Sequence, residues 1–160
     1  MNVKMKKSII VFTACVLNTP IFSYADWHQT HWGMNIQQVK KCLNDPYEVP
    51  DTPRDQYNYN IYSGDKTLLS EENFDVNGMS FNVRYIFDDN NKLKAINMVG
   101  DENYYDRTIS LLSGKYGKPA YFEQGLLPNA TWSVPDKHLL IKLSRVSHTI
   151  IRYEPISNAL

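Results

Sequence analysis

His28 and His31 stand three residues apart between Trp27 and Trp32, and they are the part of this sequence nearest to a chemical constellation. On a helix that spacing puts both imidazoles on one face, as two ligands of a tetrahedral metal site require. Asp26 adjoins them, but no cysteine or further acid nearby completes a set, and His138 and His148 are distant in sequence. The ordinary reading is two surface histidines in an N-terminal segment. No metal ligand is assigned, and the competing reading is a small metal-dependent hydrolase using His28, His31 and an unseen third ligand.

Other chemistry is no better supported. Serine, histidine and aspartate all occur, yet there is no Gly-x-Ser-x-Gly to build a nucleophile elbow. Cys42 needs a partnered histidine to act as a nucleophile. Its place beside a helical apolar stripe favours burial instead. The acid pairs Glu71-Glu72, Asp88-Asp89 and Asp101-Glu102 are adjacent in sequence. In a strand their side chains point to opposite faces, which suits paired acid–base work poorly. Residues 88–91, Asp-Asp-Asn-Asn, resemble part of a calcium loop but lack its mid-loop glycine and terminal glutamate, so they read as a hairpin turn. There is no phosphate-cradling glycine-rich loop. The expectation is therefore a protein that is not an enzyme and carries no cofactor.

The first 25 residues have the pattern of an export signal. Lys4, Lys6 and Lys7 precede an apolar run that closes on Ser23-Tyr24-Ala25, which predicts cleavage between Ala25 and Asp26. The run, interrupted by Asn18 and Pro20, is shorter than the roughly 20 residues of a spanning helix. Cys15 follows Phe12-Thr13-Ala14, without the leucine usual three residues before a lipidated cysteine. The 160-residue chain holds 17 basic and 17 acidic side chains. Three of the basic ones and none of the acidic ones lie in residues 1–25, so the exported part has 14 against 17, a formal −3. Such a balance offers no basic footprint for nucleic acid. Residues 26–160 suffice for one domain with its own core. Cys42 is the one cysteine left there, so no internal disulfide can form.

Two helices and several strands would position whatever site exists. Asn35 is a good N-cap for a first helix with Ile36, Val39 and Leu43 on one stripe and Pro46 as its stop. Residues 103–116 predict a second, with Tyr105, Thr108, Ile109, Leu112 and Tyr116 in line and Gly117 and Pro119 ending it. Residues 67–99 read as antiparallel sheet. Asn77-Gly78 marks a tight hairpin, and Phe81, Val83, Tyr85 and Phe87 alternate with Ser80, Asn82 and Arg84. Further strands are expected at 120–123, 131–134, 139–143 and 149–153. The order is helix then strands, twice, over approximate repeats 32–99 and 101–155. This predicts an α+β fold of two α-β-β-β units forming one antiparallel sheet, with both helices on one face and the other face open.

Gly33-Met34-Asn35-Ile36-Gln37-Gln38-Val39, followed by Leu43 and Pro46, resembles the first-helix motif of the SmpA/OmlA outer-membrane assembly lipoproteins. That motif is a Gly-Met-Thr start, a Gln-Gln-Val helix and a Leu-Gly-x-Pro exit; Asn44 stands where it has glycine. The doubled arrangement resembles the β-lactamase-inhibitor-protein fold, which is built from two such units. The resemblance implies that fold and a place in the cell envelope.

Residues 45–66 form an irregular, proline-containing segment rich in tyrosine, which reads as a long loop or an edge strand. Tyrosine gives large, rigid contact area at low entropy cost and is favoured in protein interfaces. Arg54, Asp55, Tyr57, Tyr59 and Tyr62 are the candidate partner-binding residues. The reading is a periplasmic or secreted binding module for another protein, of inhibitor, immunity or envelope-assembly type. A structural envelope protein is the remaining alternative, and peripheral association with the envelope is compatible with either.

Overall fold

The computed structural model describes residues 27, 29–50, 60 and 63–157. The protein is α+β: the described residues form two short α-helices and one antiparallel sheet of eight strands. In chain order these are α1 (Ile36–Cys42), β1 (Tyr47–Glu48), β2 (Lys66–Val76), β3 (Met79–Phe87), β4 (Leu93–Gly100), α2 (Tyr105–Tyr116), β5 (Tyr121–Glu123), β6 (Asn129–Val134), β7 (Leu139–Arg145) and β8 (Thr149–Pro155). Across the sheet the order is β1-β2-β3-β4-β8-β7-β6-β5.

Local sequence accounts for the element ends. Asn35 caps α1 through a capping box: its side chain accepts from the Gln38 amide, and the Gln38 side chain accepts from the Asn35 amide, both at 2.9 Å. The helix stops at Cys42, before the expected Pro46, because Leu43 turns extended and drops its side chain into the core. A 3₁₀ turn, Glu102–Tyr104, capped by Asp101, leads into α2. Gly117 ends α2 with φ of +84°, a conformation that suits glycine. The β2–β3 hairpin turns on Asn77 and Gly78, both at positive φ as a type I′ turn requires. At the next turn the Asp88 carboxylate accepts from the amides of Asn90 and Lys92, at 2.9 and 2.8 Å.

One sheet face holds the core. Phe81, Val83 and Tyr85 of β3, Ile96 and Met98 of β4, Ile151 and Tyr153 of β8, Ile141 and Leu143 of β7, and Trp132 and Ala130 of β6 lie in register on it. All are buried. Val39 and Leu43 at α1, and Tyr105 and Leu112 of α2, join the same apolar cluster. Trp132 Nε1 donates to the Gly117 carbonyl at 2.9 Å and so pins the exit of α2 to the sheet.

Each helix is followed by four strands, where units of three were expected. The outermost strand of each set is short: β1 has two residues, paired through Tyr47 to Ser70 and Glu48 to Leu69, within the segment 45–66, and β5 has three, at the strand expected over 120–123. Cys42 is half-buried, not buried; its thiol lies 3.4 Å from the Gln38 carbonyl oxygen and 3.8 Å from that of Gln29. Among the described residues no helix is long and apolar enough to cross a membrane.

Candidate functional site

Arg54, Asp55, Tyr57, Tyr59 and Tyr62 lie outside the described residues, as do His28 and the export signal. His31 is half-buried, and its backbone amide faces the Met34 sulfur at 3.4 Å. Among the described residues no three His, Cys, Asp or Glu side chains converge as metal ligands would. Glu71 and Glu72 do part to opposite faces: Glu71 is buried and Glu72 exposed.

What the fold brings together is a line of side chains on the sheet face opposite the core. Register runs from Tyr47 to Ser70, Arg84, Asn97, Arg152, Lys142, Thr131 and Tyr121, one residue from each of the eight strands. Directly paired residues share a face, with neighbouring strands about 4.8 Å apart. Every position in the row is half-buried or exposed. The two ends are tyrosines, Tyr47 at 60% and Tyr121 at 53% exposure. Toward the turn at residues 88–91 the same face becomes buried at Ile86 and Ala95.

Charge along the row is arranged unevenly. Glu154 of β8 accepts from Lys142 at 2.5 Å and from Arg152 Nε at 2.6 Å, and Arg152 also donates to Asn97 Oδ1 at 3.2 Å. Partial burial pushes the Glu154 carboxyl up, but the Lys142 and Arg152 contacts outweigh it and hold the group below its ordinary 4.5. A group whose folded-state pKa is depressed contributes stability above its unfolded-state pKa, and loses it as pH falls through the folded value. Glu154→Gln should therefore cost about 1 kcal/mol at neutral pH, the order of a partly exposed network. The difference from the parent should vanish below the folded-state pKa in urea titrations run across the acid range.

At the β1 end the row sinks into a shallow depression of about 230 Å³, lined among others by Tyr47, Pro50, Ser70, Glu72, Asn82 and Arg84. At the β5 end Tyr121 donates to Glu123 at 2.8 Å and Asn129 donates to the same carboxylate at 3.1 Å. Among the described residues this face offers cations, amides, hydroxyls and two tyrosine rings to something laid across it.

Beneath lies a polar cluster that sequence reasoning missed. Tyr85 donates to Glu71 Oε2 at 2.5 Å and accepts from Trp27 Nε1 at 2.8 Å. The Trp27 ring packs on Phe74 at 4.9 Å and Tyr153 at 6.1 Å. Burial, then the Glu71 hydrogen bond and its charge, push the Tyr85 phenol well above its ordinary value and keep it protonated. The two-residue spacing of Glu71 from Leu69 was the available signal, since alternation puts both on the core side.

No protein-family model, no curated protein and no solved structure was found to match this chain.

Proposed function

We propose that this protein is an exported, periplasmic or secreted, binding module that captures another protein on its polar sheet face. The observation that carries this is the eight-residue row from Tyr47 to Tyr121, which combines two exposed rings with a line of hydrogen-bonding and charged groups. Aromatic and arginine anchors within a polar surround are the make-up of protein-recognition surfaces. The tyrosine-rich segment, with Arg54, Asp55, Tyr57, Tyr59 and Tyr62, supports the same reading by its composition. The export signal at residues 1–25 supports delivery to the envelope.

The architecture we infer is a doubled unit, each half a helix and four strands, with both helices on the core side. Three observations support it. The strand order runs inward from both edges to β4 and β8, the last strands of the two halves. Helix residues of both halves enter one apolar cluster. The row also ends at each edge on a tyrosine that follows a helix and a proline: Pro46-Tyr47 and Pro119-Ala120-Tyr121. This arrangement is similar to that expected from the β-lactamase-inhibitor-protein resemblance, in which a broad sheet face is left for a partner.

Immobilised protein should retain a partner from an envelope extract. The Tyr57→Ala/Tyr59→Ala/Tyr62→Ala triple variant and the Tyr47→Ala/Tyr121→Ala double variant should each lose at least about tenfold in retention, the scale of one or two interface anchors, with unchanged circular dichroism. Equal retention by both variants would overturn the reading.

A further inference from the structure

Three cations stand in the row, and two of them have a counter-ion. Lys142 and Arg152 share Glu154, and Arg152 also holds Asn97. Arg84 is different. It is half-buried, and among the described residues its guanidinium meets neither a hydrogen-bond acceptor nor a counter-ion. The guanidinium's planar fork of donors is thus open to an incoming group, and it matches the two oxygens of a carboxylate. Its neighbours are donors too. Asn82 lies two residues away on the same strand face, and its Oδ1 is occupied by the Asn73 amide at 3.3 Å. That contact leaves the Asn82 Nδ2 group to donate. Ser70, directly opposite Arg84, adds a hydroxyl. Tyr47 and Pro50 give the depression an apolar wall.

We propose that this depression binds a carboxylate: the side chain of an aspartate or glutamate on the protein partner, with an apolar or aromatic neighbour of that residue lying against Tyr47 and Pro50. The inference rests on the open-face reading above and adds the chemistry of the contact. A phosphate fits less well, for two reasons. The next cation in the row, Arg152, is two strands away, roughly 10 Å, and is already engaged by Glu154. Glu72, which lines the depression without pairing to Arg84, repels a dianion more strongly than a single carboxylate.

The probe is N-acetylglutamate N-methylamide, titrated into the isotopically labelled protein at low ionic strength and followed by NMR. Its uncharged glutamine counterpart and inorganic phosphate serve as comparisons. Saturable shifts are expected at Ser70, Asn82 and the Arg84 Nε–H. Arg84→Gln should weaken binding by about tenfold or more, as loss of a charge-assisted hydrogen bond does. Arg84→Lys should fall between the two, keeping the charge but not the fork. Glu72→Gln should tighten binding severalfold, and added salt should weaken it. Arg84 makes no contact that holds the fold, so the dispersed amide spectrum of each variant should be retained. Absence of an Arg84-dependent shift, equal binding of the glutamine probe, or tighter binding of phosphate would each overturn the proposal. Arg84-dependent carboxylate binding with unchanged partner retention by Arg84→Gln would keep the carboxylate site and overturn the open-face reading instead.

Discussion

Trp132→Ala should lower the stability of the protein by about 3–5 kcal/mol, the range for removing a buried aromatic ring from a packed core. Domains of this size have some 5–15 kcal/mol in total, so the variant should sit near the edge of folding. The expectation follows from place as well as size. Trp132 is 1% exposed and lies in register with Ile141, which is itself paired with Tyr153, so its ring is central to the core face. Its Nε1 also holds the Gly117 carbonyl, so the alanine variant loses a cavity's worth of packing and the tie that fixes the end of α2. Trp132→Phe separates the two effects. It keeps most of the apolar volume and gives up the hydrogen bond, and because Gly117 is exposed its carbonyl can turn to water. The cost should fall to about 1 kcal/mol for the hydrogen bond, plus whatever strain repacking brings. Urea titration measures both, and an unchanged m value would show that the denatured ensemble is not responsible. A Trp132→Ala variant within about 1 kcal/mol of the parent, below the usual cost of any large core truncation, would contradict the packing described.

Tyr85→Phe should be the most costly single-atom deletion in the protein, at roughly 2–4 kcal/mol. The hydroxyl is at once acceptor for Trp27 and donor to the buried Glu71, so its removal strands a donor and a carboxylate oxygen together. Each stranded buried group costs about 1–3 kcal/mol, and the asymmetry between losing one partner and losing both supplies the control. Tyr85→Phe/Glu71→Met removes the stranded carboxylate along with its partner and should recover more than half of the loss. A double variant no more stable than Tyr85→Phe alone would show that the Glu71 contact is not the source of the cost. Trp27 follows Asp26 at the start of the expected exported chain, and its indole reaches the centre of the core face. Trp27, next to the expected cleavage point, is thus part of the folded unit, and a deletion that removes it should cost the ring packing on Phe74 and Tyr153 as well as the hydrogen bond to Tyr85.

What sequence could reveal divides along the range of the interactions. Asn35 with Gln38, the Asn77-Gly78 turn, and the stripe of Tyr105, Thr108 and Leu112 act within one or two turns of chain, and each appears where it is expected. Alternation in β3 likewise separates Phe81, Val83 and Tyr85 from Ser80, Asn82 and Arg84. The polar row was not legible, because periodicity states which residues share a face and not which strands are neighbours. Asn97 meets Arg152 only because β4 pairs with β8, across 55 positions of chain. Trp27 and Tyr85 are 58 apart, and Glu71 is a charged residue at a core position, which composition alone assigns to solvent. Of the edge strands, β5 appears where a strand is expected, at 120–123, whereas β1 could not be told from loop, because two residues are too few to display a period of two.

Those short edges have a consequence for how the protein fares in a crowded compartment. An exposed strand margin is a template on which further chains can hydrogen-bond, and long, flat, apolar margins seed association. Here the outermost strands offer two and three residues of main chain, each includes a glutamate, Glu48 or Glu123, and prolines stand close by at 46, 50, 119 and 128. Proline contributes no amide to a ladder. The native molecule is thus a poor seed for its own precipitation. The long inner strands β2 and β3, eleven and nine residues, are the segments with the reach to pair indiscriminately, and they are sheltered between neighbours until the sheet opens. Loss of soluble protein should accordingly follow the unfolded fraction, with Trp132→Ala precipitating on mild warming while the parent at the same concentration stays clear.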